Sequence, residues 1–165
     1  PNGENKMKRK ITLLDLVDFR GIDEKDNEPI EDRWIIGYFL DEKIKNKALE
    51  IYEERKEGNE EIQIKEFDFS CFPNQKYVYV LFFEYSVLID EAEQDKNIDP
   101  DDQYTYYYYY FEPLSSYEKC LKLKEKPLED DKYKVKDYMI YDFDEGFHIE
   151  KIIIEVGRAS CRERV

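Results

Sequence analysis

Trp34–Tyr52, WIIGYFLDEKIKNKALEIY, is the stretch whose reading decides the fold. Trp34 to Leu40 is rich in aromatic and β-branched residues and reads as a strand. Asp41 then offers a carboxylate to the free amides of a first helical turn, and Glu42 suits the positive end of a helix dipole. Ile44, Ala48, Ile51 and Tyr52 recur at helical spacing, with Leu49 widening the stripe. Arg55 and Lys56 suit the far end, and Gly58 the left-handed position that closes it. Gly37 inside the strand signals a bulge or a place where a helix comes close.

Working outward, the same plan returns in Tyr106–Lys124, YYYYYFEPLSSYEKCLKLK. An aromatic strand over 104–112 ends at Pro113. Ser115 and Glu118 form a capping box, and Tyr117, Cys120, Leu121 and Lys124 make a short helical face. Further strands are expected over 10–19, 61–69, 77–89, 133–143 and 147–156. Tyr38-Phe39 is echoed by Tyr110-Phe111, and Phe67-Asp68-Phe69 by Tyr141-Asp142-Phe143, at nearly the same spacing. The pattern predicts an α+β fold. It has an antiparallel β-sheet with two helices, built by internal duplication of a strand–strand–helix–strand unit. The units span 7–72 and 73–156, the second carrying a final strand.

Composition narrows the function. The 165 residues carry a net charge of -14 with 40% charged residues, yet 16% are aromatic, so a core can form. Nucleic-acid binders bring Lys and Arg to phosphates, so this charge speaks against nucleic acid and against anionic membranes. A basic partner is the better match. Lys8-Arg9-Lys10 precedes an apolar run, but Asp15 and Asp18 interrupt it too early for a signal peptide. No stretch approaches the ~20 apolar residues of a membrane span, and the expected compartment is the cytoplasm.

Residues 1–6 precede Met7, a plausible start, and are not expected to be native structure. Gly157–Val165, GRASCRERV, resembles the translated end of a sequencing adapter. Three arginines arrive abruptly in a Lys-rich acidic chain, and Cys161 is discounted with them.

The first half resembles a small uncharacterised bacterial ββαβ domain family. The likeness lies in Gly37-Tyr38-Phe39 after a strand and polar loop, followed by a polar turn and an Ala48-bearing amphipathic helix ending at Tyr52. The Glu145-Gly146-Phe147 turn is similar to that family's C-terminal feature, although Asp144 stands where the family often has Trp. The resemblance implies no activity.

Chemical motifs are sparse. The glycine spacing gives no phosphate-cradling loop. His148, the single histidine, has no nucleophile motif beside it and sits in a strand-like context. Cys71 and Cys120 lack zinc spacing. Asp95, Asn97, Asp99 and Asp101 begin like a calcium loop, but Pro100 and Tyr106 stand where Gly and a bidentate Glu are needed. No cofactor or metal is expected. The tyrosine run 106–110 resembles a base-stacking platform, but such platforms come with a basic groove, and Asp101, Asp102 and Glu112 are acidic. An aromatic strand is the plainer reading.

Two acidic loops, 21–32 and 90–103, fall at equivalent places in the two halves. The expected function is a non-enzymatic protein-interaction module in which Asp23, Glu24, Asp26, Asp99, Asp101 and Asp102 face a basic protein partner. The alternatives are an enzyme of unrecognised type using Asp/Glu, and an accessory module of a longer protein.

Overall fold

The structure, a computed structural model, describes residues 6–22, 29–88, 104–126, 130–134, 136, 139–141, 143, 146–157 and 162–164. Among the described residues the fold is α+β, with two α-helices and two antiparallel sheets. The chain divides into two compact units. One runs to Val78 and takes back the chain from Lys151; the other holds Tyr79–Glu150.

In the first unit, β1 (Met7–Ile22) is the central strand. It pairs antiparallel with β2 (Pro29–Phe39) on one side and β3 (Glu60–Cys71) on the other, in the order β2-β1-β3. Between β2 and β3 lies α1 (Glu42–Arg55). Asp41 caps it as expected, its Oδ1 accepting from the Lys43 and Ile44 amides at 2.8 and 3.0 Å. Gly58 takes the left-handed conformation (φ 52°) that turns the chain back toward β3.

The helix lies across one face of the sheet. Ala48, Leu49 and Tyr52 pack against Leu14, Leu16, Ile36, Phe39 and Ile62. Adjacent residues of a strand point to opposite faces, so Ile11, Leu13, Asp15 and Val17 share the other face, and all four are buried. Asp15 is the charged member of that set. Arg33 neutralises it, and the same guanidinium reaches Gln63 and Glu31, so one side chain ties all three strands together.

The other sheet has the order β5-β4-β7-β8, with β4 (Tyr77–Leu88) between β5 (Tyr104–Tyr110) and β7 (Phe147–Ile153), and β8 (Arg162–Arg164) beside β7. Helix α2 (Tyr117–Glu125) follows β5. Its cap is Ser116, not the expected Ser115. The Ser116 Oγ accepts from the Lys119 amide, while Ser115 Oγ accepts from the Lys119 ammonium. Cys120 on α2 meets Leu81, Phe83, Phe147 and Ile149 in the core, as its place on the apolar stripe suggested.

Among the described residues of the strand expected over 133–143, no continuous strand forms. Asp131–Tyr133 is a 3-10 turn, and only the two residues of β6 (Met139–Ile140) pair with β4. The reason is aromatic packing. The Tyr133 ring meets Phe83 edge-on at 5.3 Å and Tyr109 edge-on at 6.3 Å. Reaching those rings takes Tyr133 out of any strand. The third strand of this sheet is therefore β7, and Tyr141 and Phe143 lie off it. The short strand β8 falls inside the adapter-like segment.

Candidate partner-binding surface

The six acidic residues expected to face a partner, Asp23, Glu24, Asp26, Asp99, Asp101 and Asp102, lie outside the described residues, as does the calcium-like run 95–101. What is described is the end of the first sheet that leads into residues 23–28. There the pairing register brings Asp18 opposite Asp32 on β2 and opposite Glu60 on β3. Residues paired directly across antiparallel strands share a face. The three carboxylates therefore form one row across the sheet.

The next row inward on that face is Trp34, Leu16 and Ile62. Leu16 and Ile62 pack toward α1, but Trp34 remains 42% exposed. An indole beside a carboxylate row can receive a cation twice over. Its ring face attracts a guanidinium or ammonium, and the acids supply the opposite charge. Glu60 is also held locally, its Oε1 accepting from the Glu57 amide at 2.6 Å. Like charges set directly opposite cost stability in a sheet.

Sequence reading missed this row. In the sequence Asp18 reads as a break in an apolar run, and Asp32 as part of a loop. Asp18 lies four residues from the end of β1 and Asp32 three from the start of β2, and the register shift between Phe19 and Gly21 absorbs the difference.

His148 has different surroundings, on the face of the second sheet away from α2. Its ring lies between those of Phe82 and Phe143, with centroids at 5.0 and 4.1 Å. Nδ1 is 3.2 Å from a Glu84 carboxylate oxygen, and Nε2 is 3.7 Å from one of Glu150. With its side chain only 7% exposed, His148 is a packed pillar between β4 and β7 rather than a group open to substrate.

The tyrosine run forms an aromatic strand. Tyr107 stacks on Tyr85 at 5.0 Å, Tyr109 joins the Phe83 core, and Tyr108 stacks near Tyr110 on the other face. Cys71 and Cys120 are buried and free. Burial pushes the Cys120 thiol up to about 12, so it stays protonated at neutral pH and is a poor nucleophile.

A cleft of about 450 Å³ opens in the first unit beside the start of α1. Arg9, Lys76, Tyr77, Ile44 and Glu155 are among its walls. Among the described residues, no group of three or more His, Cys, Asp or Glu is arranged to hold a metal ion. No described helix is long and apolar enough to cross a membrane. No family model, curated protein or solved structure matches the chain.

Proposed function

We propose that this protein is a non-enzymatic interaction module whose acidic end receives a basic protein partner. The observation that carries the reading is the row Asp32–Asp18–Glu60 beside the exposed Trp34. It joins the two features that recognise Lys and Arg side chains, negative charge and an open indole face. The row stands at the root of the segment holding Asp23, Glu24 and Asp26, so the sequence carries the acidic surface onward. The net charge of -14 favours encounter with a basic surface at a distance.

An internal duplication belongs to this reading. It is supported by the like strand orders β2-β1-β3 and β5-β4-β7, each with a helix after its first hairpin. Residues 90–103 would then be the counterpart of the stretch that joins β1 to β2, and Asp99, Asp101 and Asp102 would present a second acidic surface.

The test is calorimetric titration of the full chain with a hexa-arginine peptide. Neutralising the row (D18N, D32N, E60Q) is expected to weaken binding at least about tenfold, since each charge-assisted contact is worth roughly 1.5–3 kcal/mol. Neutralising three exposed acids of α1 (E50Q, E53Q, E54Q) changes net charge equally and is expected to weaken it far less. Equal losses in the two variants would reduce the reading to general charge attraction and overturn it.

A further inference from the structure

After β7 the chain turns at Ile154 and Glu155, and this short segment, itself part of the first unit, lies beside β2 and the start of α1. The contacts are specific. The Glu155 amide donates to the Tyr38 carbonyl at 2.9 Å, an added main-chain bond to β2. The Glu155 carboxylate oxygen Oε1 accepts from the Leu40 and Asp41 amides at 2.5 and 2.9 Å, at the bend into α1. The Tyr52 hydroxyl donates to the main-chain carbonyl of residue 157 at 2.9 Å, a contact that any residue there would supply.

Gly37 completes the groove. A Cβ at that position would lie 2.6 Å from the Val156 carbonyl oxygen and 3.0 Å from the Phe39 ring. The strand glycine is therefore the floor on which an extended backbone rests. The close approach that its place in the strand suggested is made by this segment and not by a helix.

The docking is imperfect in cis. To come off β7 and reach the groove, Glu155 adopts a φ of 71°, a conformation that side chains other than glycine rarely take. Its second carboxylate oxygen is buried with no hydrogen bond among the described residues. Both features raise the free energy of the docked segment without weakening the groove itself.

We propose that the groove formed by Gly37, Tyr38, Leu40, Asp41 and Tyr52 is a docking site for an extended Glu-bearing segment, and that a second copy of this chain can supply its own Ile154–Val156 in trans. The ligand chemistry is defined by the cis occupant. One backbone amide meets Tyr38, one carboxylate meets the two amides before α1, and the following carbonyl passes over a residue with no side chain. A strand edge gives affinity through main-chain bonds, and one anchoring side chain gives selectivity. Exchange of an identical element between copies costs little, because it remakes the same contacts.

The test is complementation between two full-length variants. In G37A the groove is blocked and the segment is left free. In E155A the groove is intact and its own segment is weakened. Native mass spectrometry and light scattering are expected to show each variant monomeric alone and a one-to-one heterodimer on mixing. The double variant mixed with itself is expected to stay monomeric. A mixture that stays monomeric, with both variants folded by circular dichroism, would overturn the proposal.

If G37A does not fold, a labelled peptide of residues 151–156 added to E155A answers the same question. Binding is expected, with at least about a tenfold loss when the peptide's Glu is changed to Gln. No binding, or binding indifferent to that Glu, would overturn it.

Discussion

The carboxylate of Asp15, wholly buried on β1, lies 3.0 Å from the guanidinium of Arg33 on β2. Arg33 also accepts a place between Glu31 and Gln63, donating to the first at 2.7 Å and to the second at 3.0 Å. Burial works against its charge, and the neighbouring carboxylates of Glu31 and Asp15 more than restore it, so its pKa stands above the ordinary value. Breaking such a pair leaves a buried charge without its partner, which costs about 3–5 kcal/mol. R33M is expected to lose that much stability in urea unfolding. D15L combined with R33M is expected to recover most of it, because an apolar pair of similar volume avoids the desolvation.

The two helix caps separate by substitution. D41A removes the acceptor for the Lys43 and Ile44 amides and is expected to cost about 1 kcal/mol. S116A is expected to cost a similar amount through the Lys119 amide. S115A leaves that amide bonded, so thermal melts should rank it well below S116A.

Phe83 is fully buried and contacts the rings of Tyr85, Tyr109, Tyr133, Tyr141 and Phe147. F83A is expected to lose about 3–5 kcal/mol, from transfer plus the cavity left behind. F83L should lose less, since more of the volume is kept.

Much of this fold is legible in the sequence because the deciding signals are local. Asp41, the stripe through Ala48 and Tyr52, and Gly58 sit within one helix and its ends, and each does what its chemistry suggests. The strands β1 to β5 are signalled locally by β-branched and aromatic residues, but β1 continues to Ile22 and β2 starts at Pro29, so both ends of the stretch 21–32, expected to be a loop, are strand. The failure at 133–143 has a distant cause: Tyr133 answers to Phe83 and Tyr109, which no local period reveals. The capping box misled for a related reason, since Ser115 and Ser116 are both good caps and the path of the chain after Pro113 selects the second. The candidate surface was legible only in part. The acidic loops stand out by composition, but the Asp32–Asp18–Glu60 row depends on strand register, which sets residues from three separate stretches side by side.

Cys120 gives the chain a pH dependence with a definite sign. Burial raises the thiol's pKa in the folded state to about 12, from the usual value near 9. A raised pKa gives stability that is fully present below the unfolded pKa and is lost as pH rises through the folded one. Between about pH 9 and 12 the unfolded chain releases this proton first, and stability falls. C120A should remove this part of the alkaline loss, seen by comparing urea midpoints with wild type across that window. In a C71S, C161S background at pH 8, iodoacetamide should leave Cys120 unmodified until the chain is unfolded.

Trp34 is the single tryptophan, so its fluorescence reports directly on the acidic end of the first sheet. The most direct measurement is a fluorescence titration of the full chain with hexa-arginine, at low and high salt. A saturable change in Trp34 emission is expected, weakening as salt screens the charges and largely lost in the D18N, D32N, E60Q variant. Emission that stays constant while calorimetry still detects binding would mean the peptide binds elsewhere, and would contradict the assignment of this surface.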